Sequence, residues 1–408
     1  TGLNNVTSPE RMKPGALAVA SDVDVDDTGR LMSRTGRTVI NATPGHSLYS
    51  YDGGAFVSQG ANIYAIEANM ALTLAKALTS SENVSYDATA GTAYYSNGVD
   101  TGRFVGRTPK QWGVTPPVNQ PASSATTGNL PAGRYTYALT FLRMDGHESG
   151  TGLAGAIDLS VTGGIRFDGI EVSTNPEISA KIVYLSSRNG ETLYRAAVIL
   201  NSQTSAVVAD EPRGIPLITQ FASAAPPGTL VRIFNGVAYV ISGNTVYYSE
   251  PYNLELFFLE RNFMQFPGTI SMFDWANDGV YVATTDTEGD GTEGNGTTWF
   301  LHGNRPDKFN PTQVFNYGST PGTSVKLESG FFGALAEKIG SPSLIWTSRH
   351  GVCVGGDGGI VHNLTEGTFS LPSAIRGAAL VREYRGFVQY ITSMQGAGAD
   401  NNAYTETI

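Results

Sequence analysis

Short apolar runs separated by glycine-containing turns recur along the chain, most clearly in residues 230–257. Leu230 to Phe234 alternates with period two, and the tight-turn pair Asn235-Gly236 follows it. Val237 to Ile241 is a second apolar run, and Val246 to Ser249 is a third after the turn at Gly243-Asn244. Runs joined in this way predict a meander of antiparallel hairpins. Leu254 to Leu259 fits either the outer strand of the same sheet or a connector to the next one.

The same pattern returns in four other windows at intervals of a few tens of residues. They are residues 47–66, residues 84–106, residues 270–285 continued by the strand at 297–303, and residues 344–364. A pattern that recurs in this way is the signature of a repeat architecture. Small four-stranded sheets repeated around an axis are the blades of a β-propeller. The sequence therefore predicts an all-β propeller.

A different pattern occupies the middle of the chain. Residues 108–133 are rich in Pro, Ser, Thr and Gly and are typical of a linker. Beyond them a strongly alternating strand carries Tyr135, Tyr137, Leu139 and Phe141, and further short runs follow up to Asp210. About seven strands in roughly 90 residues is the density of a β-sandwich. We predict an inserted sandwich at residues 120–218.

The two ends of the chain each supply half a sheet. Val19 to Val25 and Leu31 to Ile40 predict two N-terminal strands, and Ala378 to Ile391 predicts a C-terminal hairpin. We expect them to combine in one blade, because ring closure leaves no open sheet edge. The predicted organisation is a first propeller part at 1–115, the sandwich at 120–218, a second propeller part at 226–392 and a flexible tail at 393–408, with about six blades in all.

Composition narrows the function classes. The 408 residues are 40% hydrophobic and carry a net charge of −10, which argues against a nucleic-acid-coating role. The single cysteine, Cys353, lies in an apolar strand pattern, so we expect a buried thiol and folding in a reducing cytoplasm. We find no apolar run of about 18 residues and no signal core, and expect a soluble protein without a secretion signal.

Two acidic segments raise the question of calcium. Asp286, Glu288, Asp290 and Glu293 are interleaved with glycines, which fits either a solvated hairpin tip or a calcium site. In the N-terminal segment the carboxylates are Asp22, Asp24, Asp26 and Asp27. There the solvated face of a strand is favoured, because the glycine and the terminal glutamate of a calcium loop are missing.

Catalytic motifs are absent from the sequence. The histidines His46, His147, His302, His350 and His362 have no metal-ligand spacing, and no nucleophile elbow, P-loop or dinucleotide fingerprint occurs. The Ser-X-Asp-X-Gly-X-Thr-Trp boxes of sialidase-type propellers are missing too. A cluster of arginines is the other feature of that class, and it stays possible for Arg232, Arg349, Arg382 and Arg385. We predict a protein that is not an enzyme and has no cofactor.

A resemblance to a known family covers nearly the whole chain. The segments that carry it are GLNNVTSPERMKPGALAVASDVDVDDTGRLMSRTGRTV, YTYALTFLRMDGHESG, GNTVYYSEPYNLELF, DGVYVATTD, WFLHGNRPDKF and HGVCVGGDGGIVHNLT, in that order. Their succession resembles the virion structural proteins of tailed bacteriophages, in particular the β-propeller nozzle proteins of short-tailed phages. The central segment also resembles a fibronectin type III module.

The tail resemblance implies a structural protein of the virion that forms a ring, suspected to be a hexamer, around the channel through which DNA leaves. Its partners would be other tail proteins, such as the adaptor on the portal side and the fibres, without sequence-specific binding of nucleic acid. Synthesis and assembly would take place in the host cytoplasm. The alternative function is a carbohydrate-binding or glycan-cleaving propeller. In that case Tyr247, Tyr248, Trp275 and Trp299 would form a sugar platform instead of blade core.

Overall fold

The structure is a computed structural model, and it describes residues 3–18, 23–25, 30–33, 39–286, 294, 296–327, 342–369, 371, 374–384, 387–396 and 401–405. Within these ranges the only helices are three short 3₁₀ turns, at Pro9–Arg11, Pro306–Lys308 and Asp357–Gly359. The remaining regular structure consists of β-strands, so the all-β prediction is confirmed.

The first part of the chain forms a hairpin and two four-stranded antiparallel sheets. The hairpin pairs β1 (Val23–Val25) with β2 (Leu31–Ser33). Sheet A contains, in order, β3 (His46–Tyr51), β4 (Gly54–Gln59), β5 (Asn62–Ile66) and β6 (Leu72–Ala77). Sheet B contains β7 (Ser85–Thr89), β8 (Thr92–Ser96), β9 (Thr101–Val105) and β10 (Thr108–Lys110).

Seven strands then form two sheets that face each other, and we call them the two-sheet unit. They are β11 (Ala122–Leu130), β12 (Gly133–Arg143), β13 (Gly155–Leu159), β14 (Gly163–Asp168), β15 (Ile178–Ser186), β16 (Leu193–Leu200) and β17 (Ser205–Val208). The strand orders are β11-β14-β17 and β13-β12-β15-β16. Tyr135, Tyr137 and Leu139 of β12 pack against Ile165 and Phe167 of β14 in one core shared by both sheets.

The chain then returns to sheets of the first kind. Sheet C contains β18 (Leu230–Phe234), β19 (Val237–Ser242), β20 (Thr245–Glu250) and β21 (Asn253–Phe257), with β22 (Phe263–Gln265) also paired to β20. Sheet D contains β23 (Ile270–Trp275), β24 (Gly279–Thr284), β25 (Thr298–His302) and β26 (Asn310–Phe315). Sheet E contains β27 (Val325–Lys326), β28 (Pro342–Ser348), β29 (Gly351–Gly356) and β30 (Val361–Asn363). Sheet F contains β31 (Arg376–Tyr384), β32 (Phe387–Gln395) and β33 (Asn401–Thr405).

Each of these sheets packs on the next through a shared apolar core. Phe56 of sheet A meets Tyr86 of sheet B, and Tyr94 of sheet B lies with Val231 of sheet C. The same succession continues from C to D, from D to E and from E to F. Repeated four-stranded sheets stacked in series are the propeller-like arrangement that the repeats predicted. The turn pair Asn235-Gly236 has φ values of +50° and +71°, as a type I′ hairpin requires.

The linker prediction for residues 108–133 is wrong for much of its length. Thr108–Lys110 completes sheet B as β10, and Ala122–Leu130 is the first strand of the two-sheet unit. Small residues suit this edge strand because a Cβ added at Gly128 would lie only 2.7 Å from the Cα atom of Gly164. Close contact between backbones explains Gly128, whereas the Ala, Ser and Thr residues of β11 are exposed or half-buried.

The predicted sharing of one blade between the chain ends is also wrong for the described residues. There β1 and β2 pair only with each other, and β31 pairs with β32 along nine residue pairs. Sheet F thus forms from C-terminal strands alone, and β33 lies in the segment that was expected to be a flexible tail. The N-terminal segment meets this region differently, since Leu3 packs beside Met394 and the N–H of Asn5 donates to the carbonyl of Thr368.

Candidate functional site

The first strands of neighbouring sheets lie side by side, and side chains complete their hydrogen bonding. The N–H of Val231 donates to Ser85 Oγ at 3.0 Å. The N–H of Ile233 donates to Asp87 Oδ2 at 2.6 Å. An unpaired N–H at the edge of a sheet is costly when buried, so these contacts join sheets B and C where a β-ladder is missing.

A group of charged residues from successive first strands meets at this level, and we call it the central charge cluster. It contains Asp87 of β7, Arg232 of β18, Asp274 of β23 and Lys326 of β27. Arg232 Nε donates to Asp274 Oδ1 at 2.5 Å, and Arg232 Nη2 lies 3.4 Å from Asp274 Oδ2. Ser324 Oγ also donates to Asp274 Oδ2 at 2.5 Å. The Asp274 carboxylate thus joins three sheets.

Opposite charges offset one another within the central charge cluster. Burial raises the pKa of Asp87, and the Arg232 guanidinium and the N–H of Ile233 oppose that rise. Burial lowers the pKa of the Lys326 ammonium, while Asp87 and Asp274 oppose the change. Two carboxylates and two cations therefore lie together, and the pair of Arg232 with Asp274 fixes the geometry between sheets C and D.

A second group of charges joins the two-sheet unit to sheets B and C, and we call it the anchor cluster. It consists of Arg103, Lys110 and Glu255 from the sheets and of Arg143 and Glu177 from the two-sheet unit. Arg143 Nη1 lies 2.6 Å from Glu255 Oε2, and Lys110 Nζ lies 2.6 Å from Glu177 Oε1. Arg103 lies between them, 3.4 Å from Glu255 and 3.5 Å from Glu177. The charges alternate in sign, so the two bodies are held by a continuous network.

The turn after β12 completes this interface. Arg143 makes three contacts of 2.7 to 3.0 Å with Asp145, and they lower the pKa of Asp145 to about 2. Burial lowers the pKa of His147, and its Nε2 has no hydrogen-bond partner among the described residues. Burial is the largest cause of this lowered pKa; Glu255 and Asp145 oppose it, and Arg143 adds to it.

Sequence reasoning did not identify either cluster, although a signal was present. Asp274 and Glu255 interrupt apolar strand patterns, in MFDW and NLELF, and Asp87 lies between Tyr86 and Ala88 of β7. A carboxylate inside such a run is almost always paired when it is buried. The sequence does not show which cation pairs with it, because the partners are distant in the chain.

The acidic loop is only partly described. Asp286 is buried, its Oδ1 accepts the N–H of Gly318 at 2.5 Å and its Oδ2 accepts the N–H of Arg349 at 3.2 Å. Burial raises the pKa of this carboxyl. Oδ2 thus joins sheet D to the β28–β29 turn of sheet E, and Oδ1 binds the connection that follows β26, so both oxygens are engaged within the protein. Glu288, Asp290 and Glu293 lie outside the described residues, as do Asp22, Asp26 and Asp27, so the calcium hypothesis stays a prediction.

The four candidate platform aromatics do not form one exposed surface. Tyr248, Trp275 and Trp299 pack against the core shared by sheets C and D. Lys326 Nζ lies 3.0 Å from the centroid of the Trp275 ring and covers one of its faces. Tyr247 is half-buried in β20. This packing is that of blade core.

The candidate arginines lie in different surroundings. Arg232 belongs to the central charge cluster, and Arg382 Nε donates to Gln389 Oε1 within sheet F at 2.8 Å. The backbone N–H of Arg349 binds Asp286, and Arg385 lies outside the described residues. None of the contacts described joins two of these side chains into an anion-binding group.

The candidate residues Cys353 and His350 both pack against neighbouring side chains. Cys353 is buried, and burial raises its pKa to about 12. His350 stacks on Tyr317 at 3.7 Å between ring centroids. Within the described part of the chain no three His, Cys, Asp or Glu side chains are placed to hold a metal ion, and no helix there is long and apolar enough to cross a membrane.

Comparison with solved structures yields distant likenesses, three of which follow. No protein-family model and no curated protein matches the chain. The extracellular domain of a protein described as a one-component system of B. thetaiotaomicron is 7% identical, with a TM-score of 0.31; the match covers 86% of this chain and 37% of that one. The N-terminal domain of Nup159 is 10% identical at a TM-score of 0.31, with 91% and 78% of the two chains covered. Dipeptidyl peptidase 4 of Porphyromonas gingivalis is 10% identical at 0.28, with 95% and 51% covered. These scores are too low to carry an argument about function.

Proposed function

We propose that the protein is a non-enzymatic structural subunit of a bacteriophage tail, a ring-forming nozzle or tail-tube component that lines the channel through which DNA leaves. One observation carries the proposal beyond the sequence resemblance. The charged groups inside the fold are used to fasten sheet to sheet, as in the pairs Arg232 with Asp274 and Arg143 with Glu255. Such pairs fix the packing between sheets, which suits a structural role, whereas a hydrolase needs an acid and a base that face a cleft.

The finer architecture belongs to the same proposal. We infer a propeller of about six blades in which sheets A to F are the blades. We also infer that the two-sheet unit is a fibronectin type III-like or immunoglobulin-like insert. Its order β12-β15-β16 corresponds to strands C, F and G of that class, and the pair β11-β14 corresponds to B and E.

The proposed partners follow from the resemblance and the charge. Other tail proteins, including an adaptor on the portal side and fibres, would contact the ring. We propose that the ring contains six copies of the chain. A net charge of −10 supports passage of DNA without adhesion, because like charge repels phosphate. The protein would be made and assembled in the host cytoplasm and would act in the virion.

Cryo-electron microscopy of the purified protein and of the particle that contains it tests the proposal. Rings centred on the tail axis, with density for the two-sheet unit, are the expected result. A protein that is absent from the particle and that hydrolyses a glycan in solution would replace the tail function with the carbohydrate-active alternative.

A further inference from the structure

We propose that the turns at one end of sheets C and D form a binding site for a neutral saccharide, with Tyr252 as its aromatic platform. In an antiparallel meander the first and third turns lie at the same end of the sheet. The turns β18–β19, β20–β21, β23–β24 and β25–β26 are therefore neighbours. The inference does not depend on the tail function and would stand if that failed.

A shallow cleft of about 40 Å³ opens between these turns, so a sugar ring would rest across its rim against Tyr252 and would not be enclosed. Its floor is aromatic and its walls are mostly amides. The side chains that line it are Phe234, Asn235, Trp275, Asn277, Asp278 and Asn304.

The polar groups of the cleft are predominantly free acceptors. Asn235 donates its amide to the carbonyl of Asn304 at 3.2 Å, and Asn277 donates its amide to Asp357 at 3.0 Å. Asp278 Oδ2 accepts the N–H of Gly358 at 2.8 Å. The Oδ1 atoms of all three side chains therefore keep acceptor capacity. Hydroxyl groups are the donors that match them, and the single carboxylate disfavours an anionic ligand.

Tyr252 stands beside this cleft in an unusual conformation. It has a φ of +60° and is 89% exposed. A bulky residue in the left-handed region is a true outlier, and here that backbone conformation holds the side chain beside the β18–β19 turn. Its N–H donates to the carbonyl of Gly236 at 2.6 Å. Its ring lies over Gly236, where an added Cβ would approach ring atoms to 2.7 Å.

The site thus differs from the platform that the sequence indicated. Lys326 and the neighbouring core hold Trp275, so that ring contributes to the floor of the cleft. Tyr252 presents the open aromatic surface instead, next to the acceptor of Asn235. An aromatic surface beside several neutral acceptors is the combination that recognises the C–H and O–H groups of one sugar ring.

Isothermal titration calorimetry and saturation-transfer difference NMR test the site with glucose, galactose, mannose and N-acetylglucosamine as probes. We expect at least one probe to bind the intact chain, and Tyr252→Ala to weaken that binding about tenfold, the value of one aromatic contact. Asn304→Ala, which removes an exposed amide of the cleft, should weaken it as well. Phe221→Ala is the matched control, because Phe221 is also bulky, 67% exposed and left-handed, with a φ of +68°, but lies outside the cleft.

Three results would overturn the proposal. One is that none of the four sugars binds. Another is that Tyr252→Ala and Phe221→Ala weaken binding equally, which would place the sugar elsewhere. The third is that Ca²⁺ alone binds and that Asp278→Asn abolishes this, with no saccharide signal, which would assign the same oxygen atoms to a cation.

Discussion

Replacing Arg143 with alanine tests whether the anchor cluster holds the two-sheet unit to the blades. The Arg143 side chain is 4% exposed and that of Glu255 is 11% exposed, so their pair is buried. Removing one member of a buried pair costs about 3–5 kcal/mol, because it leaves an uncompensated charge. Glu255 would keep Arg103 at 3.4 Å and the N–H of Gly113 at 3.2 Å. We therefore expect a loss near the lower end, about 3 kcal/mol.

The same strand offers a matched control. Arg134 also lies on β12 and pairs with Asp158 at 3.4 Å, but the two side chains are 64% and 70% exposed. Such surface pairs contribute about 0–1 kcal/mol, so Arg134→Ala should change little. Arg143→Lys should fall between the two alanine variants, because it keeps the charge but loses the planar fork.

Urea unfolding followed by tryptophan fluorescence is the assay. Trp112 lies in the core between sheets B and C, close to Glu255, and the other three tryptophans lie in sheets D and E, so the fluorescence follows unfolding of the blades. Equal losses for Arg143→Ala and Arg134→Ala, or a loss below about 1 kcal/mol for Arg143→Ala, would refute the view that the buried network fastens the two bodies.

Three further predictions concern single side chains. Tyr281→Phe should cost about 1 kcal/mol, because the Tyr281 hydroxyl donates to the carbonyls of Gly356 at 2.5 Å and Ile360 at 3.0 Å. Tyr239→Phe should be neutral or stabilising, because it removes a buried hydroxyl that has no partner in the described chain. The reverse order of stabilities in urea unfolding would contradict the assigned contacts. Burial lowers the pKa of His147 in the folded protein, so the unfolded chain binds a proton at this residue more readily, and stability should fall as the pH drops below about 6.5. His147→Gln should flatten that decline in thermal melts across pH. An unchanged pH profile for the variant would count against this assignment. Cys353, buried and with a pKa of about 12, should resist a thiol reagent at pH 8 in the folded protein and react once urea unfolds it; rapid labelling of the folded chain would disprove its burial.

The sequence by itself determined the local structure. Period-two alternation and glycine turns predicted most strands of sheets A to E, although β6, β10, β22, β26 and β27 lie outside the predicted windows. The alternation in β12 singled out Tyr135, Tyr137 and Leu139, which share one core. These features depend on neighbours within a few residues, where backbone conformation and side-chain direction are coupled. The linker prediction failed because it rested on composition alone, whereas β11 pairs with β14, a strand more than 30 residues away in the chain.

Tertiary structure alone decided which polar groups meet. Arg143 and Glu255 are 112 residues apart, and Asp87 reaches the N–H of Ile233 across 146 residues. Whether a buried carboxylate finds a cation depends on how whole sheets pack, and the periodicity of one strand is the same whichever sheet lies beside it. The chain ends show the same limit, because the long ladder of β31 and β32 let sheet F form without β1 and β2. The hydrophobic pattern of the sequence therefore determines where strands form, and the packing of strands that are distant in the chain determines which charged side chains meet.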